Sequence, residues 1–74
     1  MFEERKFIIS IEMNEDLSEY VLVGKCDGKV IKKRVEYSFG DSLIELYDFQ
    51  REIYDEYNVD TRFDSFEVKV NIYC

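Results

Sequence analysis

The sequence of 74 residues has no histidine, proline, tryptophan or alanine, and only two cysteines. Without histidine, serine–histidine–aspartate triads, cysteine–histidine dyads and zinc sites of the cysteine/histidine kind are excluded. Cys26 and Cys74 are too few for a disulfide framework, so we interpret both as free thiols in a reducing cytosol. The glycine motifs of phosphate-binding loops, GxxxxGK[ST] and GxGxxG, do not occur either.

Two acidic stretches, residues 14–16 and 60–67, have neither the alternating ligands nor the central glycine of an EF-hand calcium loop. We therefore expect no metal and no cofactor. A chain of this length rarely encloses a catalytic pocket, so we also expect a protein that is not an enzyme.

No secretion signal or membrane span is expected. Residues 1–6 are charged and no apolar segment follows them, as it would in a signal peptide. No apolar run approaches the length that crosses a bilayer. These features favour a cytoplasmic protein, and residue types encoded by A/T-rich codons suggest a low-GC bacterium or its phage.

Hydrophobic residues make up 46 % of the chain, charged residues 36 %, and the aromatics are six tyrosines and six phenylalanines. This composition predicts one folded domain with a small core, residues 1–74. The net charge of −7 argues against direct binding of nucleic acid or anionic membranes, whose phosphates attract cations. It is compatible with a basic protein partner.

The stretch Asp41–Tyr57 has helical periodicity. A core face is predicted from the residues that share one stripe at 100° per residue: Leu43, Leu46, Tyr47, Gln50, Tyr54 and Tyr57. Ser42 followed by Glu45 predicts a capping box at the start of the helix, with Asp41 as an alternative cap.

Four segments have strand patterns: Lys6–Met13, Tyr20–Cys26, Lys29–Phe39 and Ser65–Cys74. The pair Asp27-Gly28 predicts a two-residue hairpin turn between the second and third. We therefore predict an α+β domain of order β-β-β-α-β, in which one helix packs on a four-stranded, mainly antiparallel sheet. Strand order 4-1-2-3 is favoured, and pairing of strand 4 beside strand 3 is the alternative.

The turn predicts three facing pairs in the hairpin: Gly24 with Ile31, Leu22 with Lys33, and Tyr20 with Val35. A lysine opposite a core leucine has two explanations. Either strand 3 is an edge strand guarded by an inward-facing charge, or the register slips.

Charge is unevenly distributed along the chain. The hairpin cations Lys25, Lys29, Lys32, Lys33 and Arg34, set against Asp27, give +5 − 1 = +4. The helix has six acids and one arginine, giving −6 + 1 = −5. The hairpin is interpreted as a solvated edge, a docking surface for the acidic helix of another copy, or a weak nucleic-acid contact.

The acids of the helix share one side, here called the acidic face: Asp41, Glu45, Asp48, Glu52, Asp55 and Glu56. They span about 22 Å, or one carboxylate per roughly 4 Å, near the phosphate spacing of about 3.4 Å along one DNA strand. The face is either a solvated surface that keeps the protein soluble or a mimic of nucleic acid. Phe49, beside it, is the candidate hydrophobic anchor.

With this acidic face, the chain resembles the small acidic inhibitors of mobile elements, such as anti-CRISPR and anti-restriction proteins, and immunity proteins against nucleases. The resemblance implies that the acidic face and Phe49 bind a basic, nucleic-acid-binding protein and block its groove. One alternative is a structural or regulatory module that forms a homodimer through a sheet edge or through helix–hairpin charge pairing. Another is an antitoxin-like domain with a partial RNase H-like strand order.

Overall fold

The chain folds as one sheet with a helix packed on it, in a computed structural model that describes residues 4–14, 16 and 18–70. The elements are β1 (Lys6–Asn14), β2 (Glu19–Cys26), β3 (Lys29–Glu36), α1 (Phe39–Tyr57) and β4 (Ser65–Val70). The strands lie in the order β3-β2-β1-β4. The predicted α+β class, element order and strand order are therefore confirmed. In the described part of the chain, no helix has the length and apolar character needed to cross a membrane.

The sheet is mixed. The strand pairs β1–β2 and β2–β3 are antiparallel, whereas β1 and β4 are parallel. Parallel pairing follows from the crossover, because α1 carries the chain back along the sheet before β4 begins. The predicted last strand extends to Cys74, and its residues 71–74 lie outside the described part.

The core lies between α1 and the two central strands. Its fully buried members are Phe7, Ile9, Ile11, Leu22, Phe49 and Ile53. Gly24 has no side chain, and side chains of α1 occupy the space above it. A Cβ atom at Gly24 would lie 2.7 Å from Cδ1 of Ile53 and 3.4 Å from Cε1 of Phe49.

The actual core face of the helix is rotated by roughly a quarter of a turn about the helix axis from the predicted one. Leu46 and Tyr57 of the predicted face still pack against the core. Ser42, Phe49 and Ile53 face the sheet, whereas Tyr47 is 78 % exposed. Two features of the sheet explain the rotation. Gly24 admits the phenyl ring of Phe49, and cations on β3 attract the acids on the neighbouring side of the helix.

The start of α1 also differs from the prediction. Ser38 is the N-cap, and its hydroxyl accepts a hydrogen bond of 3.0 Å from the backbone N–H of Asp41. Ser42 lies inside the helix, where its hydroxyl donates to the carbonyl oxygen of Phe39 at 2.7 Å. The predicted capping box of Ser42 and Glu45 is therefore wrong, because the helix begins earlier and β3 ends at Glu36.

The hairpin turn has the backbone that the sequence predicts. Asp27 and Gly28 have φ angles of 51° and 85°, in the left-handed region that this type of turn requires. The predicted register holds only next to the turn, because a β-bulge at Ile31 shifts the pairing. Beyond it, the facing pairs are Gly24–Lys32, Leu22–Arg34 and Tyr20–Glu36.

A single salt bridge joins the start of β1 to the connection between α1 and β4. The guanidinium of Arg5 donates to Asp64, with Nη2 at 2.7 Å from Oδ2, and to the carbonyl oxygens of Tyr57 and Asn58 at 3.1 and 3.3 Å. The arginine thus places a cation at the C-terminus of α1, whose last turn has no basic residue. These contacts fasten two segments that are far apart in the sequence.

This salt bridge predicts a loss of stability in acid. The guanidinium of Arg5 and the backbone N–H of Asp60 lower the pKa of Asp64 from 3.8 to about 2. A carboxyl group whose pKa is lower in the folded state than in the unfolded state stabilises the folded protein at pH values above the unfolded-state pKa. We therefore expect this contribution to be complete above about pH 4 and lost as the pH falls towards about 2.

The measurement is urea unfolding between pH 7 and pH 2, with an Asp64→Asn variant beside the original protein. We expect the variant to be less stable at pH 7 and to lose less stability between pH 4 and pH 2. Asp55→Asn, at an exposed helix position, is the control and should follow the original protein. Parallel pH profiles for the original and Asp64→Asn proteins would contradict the assignment.

Candidate functional site

Half of the predicted acidic face is already paired with cations of the same chain. Arg34 contacts Glu45 and Glu52 through Nη1 and Nη2 at 3.0 and 2.9 Å. Lys32 contacts Glu52 and Glu56 at 3.0 and 2.8 Å. The five side chains alternate in charge along the side of α1 that faces β3. We call them the ion-pair ladder: Glu45, Arg34, Glu52, Lys32 and Glu56.

The β-bulge at Ile31 creates this ladder. Without it, Ile31, Lys33 and Val35 would lie on the face that α1 covers. With it, Lys32 and Arg34 lie opposite Gly24 and Leu22, on that face. Inward-facing cations on an edge strand also discourage pairing with another sheet. One alternative places the attraction between the acidic helix and the cationic hairpin between two copies. In the structure, Lys32 and Arg34 make this attraction within one copy.

The ladder stabilises the charged forms of its members. Hydrogen bonds from Lys32 and Arg34 lower the pKa of Glu52, and hydrogen bonds to Glu56 and Glu52 raise the pKa of Lys32. These groups are partly solvated, so each pair contributes little to stability on its own. Their main consequence is electrostatic, because Lys32 and Arg34 offset two of the three negative charges of the ladder and leave it with a net charge of 2 − 3 = −1.

The remaining three acids lie on the side of α1 that faces away from the sheet. Asp41, Asp48 and Asp55 are exposed, and their carboxylates make no ion pair with any residue in the described ranges 4–14, 16 and 18–70. They are seven residues apart, so they follow one line with a spacing of about 10.5 Å. This spacing is three times that of phosphates along one DNA strand.

Exposed hydrophobic side chains accompany these aspartates. Ile44 is 69 % exposed and Tyr47 is 78 % exposed, and Arg51 lies on the same side of the helix. Tyrosine and arginine are among the residue types that contribute most to protein–protein binding. We call this surface the outer face of α1: Asp41, Ile44, Tyr47, Asp48, Arg51 and Asp55.

A shallow groove runs along one side of the outer face. It has a volume of about 460 Å³ and is lined by Tyr47, Gln50, Arg51, Tyr54 and Asp55. The ring of Tyr54 stacks on Phe66 of β4 with 4.9 Å between ring centroids, so the groove has a rigid wall on that side. Its lining combines two tyrosine rings with an amide, a guanidinium and a carboxylate.

Phe49 is not part of any surface. Its side chain is 0 % exposed and packs in the core beside Ile53, so the interpretation of Phe49 as an exposed anchor is wrong. The physical reason is the rotation of the helix, which turns Phe49 inward and Tyr47 outward. Sequence periodicity alone placed tyrosine in the core because it scores as a large apolar residue on a continuous stripe.

The described residues contain one free thiol and no cluster of metal-binding side chains. No group of three or more aspartate, glutamate or cysteine side chains that could hold a metal ion occurs within residues 4–14, 16 and 18–70. Cys26 is a free thiol, and burial together with the neighbouring Asp27 carboxylate raises its pKa. A protonated thiol is a poor nucleophile at neutral pH. Cys74 lies outside the described residues.

Comparison with known proteins identifies no relative. No protein-family model matches the chain, no curated protein matches it, and no solved structure matches its fold.

Proposed function

We propose that this protein is a non-enzymatic binding protein that docks the outer face of α1 against a basic surface of another protein. The observation that carries the proposal is the outer face itself. Ile44 and Tyr47 are exposed beside three aspartates that the protein's own cations leave free among the described residues. Apolar contact would supply affinity, and the aspartates would select a basic partner and speed the encounter.

The class of partner follows from charge. A protein with a net charge of −7 and an acidic line on the outer face of α1 is attracted to lysine- and arginine-rich surfaces, which are typical of nucleases and other nucleic-acid-binding proteins. Occupying such a surface would block the nucleic acid sterically and electrostatically. The proposed action is therefore inhibition or regulation of a basic partner, in a phage or mobile-element setting or elsewhere.

Mimicry of a nucleic-acid strand by charge spacing has less support than binding through the outer face. It required six free carboxylates at one per roughly 4 Å along the helix. The ion-pair ladder occupies Glu45, Glu52 and Glu56, and the three free aspartates are about 10.5 Å apart. The proposed partner-binding surface therefore includes Asp41, Asp48 and Asp55 and excludes the ladder acids.

The test compares two triple variants with equal net charge. Asp41→Asn/Asp48→Asn/Asp55→Asn removes the free acids, and Glu45→Gln/Glu52→Gln/Glu56→Gln removes the ladder acids. Each change makes the net charge of −7 less negative by three. We expect the first variant to lose capture of a basic protein from lysate of the source cell, and the second to retain it.

The captured protein is identified by mass spectrometry, purified and titrated with each variant by calorimetry. Tyr47→Ala should weaken its binding by about 2 kcal/mol or more if Tyr47 is an anchor. Equal loss in both triple variants would mean that bulk charge, rather than the outer face, attracts the partner. A duplex oligonucleotide added as a competitor then tests whether the protein occupies the nucleic-acid groove of its partner. If it does, the oligonucleotide should displace the protein.

A further inference from the structure

The strand β4 forms one edge of the sheet, and its outer side pairs with no other strand in the described part of the chain. The backbone N–H of Ser65 donates to the carbonyl oxygen of Arg5 at 3.0 Å, towards β1. Backbone groups alternate in direction along a strand, so those of Phe66, Val68 and Val70 point outward. This row of free donors and acceptors is a template for another strand.

The side chains of β4 are also divided between two faces. Phe66, Val68 and Val70 lie on the face that carries α1, and Glu67 and Lys69 lie on the opposite face. Val68 and Val70 remain 39 % and 38 % exposed because the backbone of α1 lies closest to β2 and β3, on the far side of β1. The edge therefore has an exposed apolar side and a side with one acid and one base.

We propose that a second copy of this chain pairs with β4, antiparallel, about a two-fold axis that passes through Val68. In this register Glu67 of each copy faces Lys69 of the other, and Phe66 of each copy faces Val70 of the other. The backbone groups of Phe66, Val68 and Val70 point outward. The Val68–Val68 pair and the two Phe66–Val70 pairs are therefore the hydrogen-bonded pairs of this register. Glu67 and Lys69 then occupy non-hydrogen-bonded positions, where opposed side chains approach most closely.

Charge selects this register from its neighbours. Facing residues in an antiparallel pair lie on the same face of the sheet. A two-fold axis must therefore pass through a residue rather than between two residues, and the nearest alternatives to Val68 are Glu67 and Lys69. Either would set two like charges directly against each other. The other edge of the sheet is unsuitable, because β3 has four cations and one acid, Lys29, Lys32, Lys33, Arg34 and Glu36. Self-pairing of β3 would oppose cations to cations.

The pairing would join two sheets into one of eight strands. A two-fold axis perpendicular to the sheet keeps both α1 helices on the same side, so both outer faces would point in one direction. The dimer does not depend on the proposed function. If that function holds, two outer faces would engage a repetitive or dimeric basic partner with increased avidity.

The test is the mass of the 74-residue chain in solution, measured by sedimentation equilibrium over micromolar to millimolar concentrations. We expect the original protein to reach twice its chain mass of 9.0 kDa. Lys69→Glu sets acid against acid at both charged pairs, and Glu67→Lys sets base against base. Each variant alone should raise the dissociation constant of the dimer at least about ten-fold.

Restoring the charge pairs provides the decisive comparison. An equimolar mixture of Lys69→Glu and Glu67→Lys proteins should form a heterodimer, and the double variant E67K/K69E should dimerise by itself. Lys33→Glu makes the same charge change as Lys69→Glu on β3 and should leave the dimer intact. A protein that stays monomeric throughout, a dimer that survives Lys69→Glu, or loss of dimerisation in Lys33→Glu as well would overturn the proposal.

Discussion

Replacing Phe49 with alanine should lower the free energy of unfolding by about 3–5 kcal/mol. The phenyl ring is 0 % exposed and lies between Gly24 and the other core side chains, so its removal leaves a cavity that the surrounding strands cannot close. A domain of this length has a total stability of only about 4–11 kcal/mol, so a large part of it would be lost. Urea unfolding followed by circular dichroism measures the change.

Tyr47→Ala is the matched control for this prediction. Tyr47 is two residues away on the same helix and 78 % exposed, so its removal should change stability by no more than about 0.5 kcal/mol. Because Phe49→Ala is expected to leave little folded protein, Phe49→Leu serves as a milder second variant with an intermediate loss. Equal stabilities for the alanine variants at the two positions would contradict the orientation of α1 described above.

Replacing Gly24 with alanine should destabilise the protein by about 1–3 kcal/mol through overpacking. The new methyl group would lie 2.7 Å from Cδ1 of Ile53, a side chain that is itself buried and has little room to move. The loss would be larger than the small gain in backbone rigidity that alanine usually brings over glycine. Thermal and urea unfolding both report the effect.

Ile53→Val removes the methyl group that causes the clash, so it supplies a compensating change. Alone, it should cost about 0.5–1.5 kcal/mol. Combined with Gly24→Ala, it restores the packed volume, and we expect the double variant to be more stable than the sum of the single losses predicts. Additive losses would mean that the contact between β2 and α1 at Gly24 is looser than the structure shows.

The strands and their order could be predicted because the signals are local. The alternation in residues 6–13 and 65–70, and the turn residues Asp27 and Gly28, each determine structure over a few positions. Strand order then follows from the short meander and from one crossover. The periodicity also indicates the helix, although it does not distinguish the actual cap, Ser38 with Asp41, from Ser42 with Glu45, which has the same spacing.

The orientation of the helix and the composition of its acidic surface could not be predicted, because both depend on contacts between distant segments. The bulge at Ile31 has no signature in the sequence, yet it decides that Lys32 and Arg34 face α1. The space above Gly24 likewise becomes visible only when β2 and α1 are packed together. These two features set the rotation of α1, and this rotation exposes Tyr47 and Ile44 on the outer face.

The parallel pair β1–β4 has a consequence for the order in which the protein folds. The salt bridge of Arg5 and Asp64 joins residues 59 positions apart, as does each facing pair of β1 and β4, so the sheet is completed by contacts between the first and the last strand that the structure describes. During synthesis, the meander of β1, β2 and β3 leaves the ribosome with one side of β1 unsatisfied. Folding should therefore finish only after β4 has been translated, and until then nascent chains carry an aggregation-prone edge on β1, which β4 covers in the finished sheet.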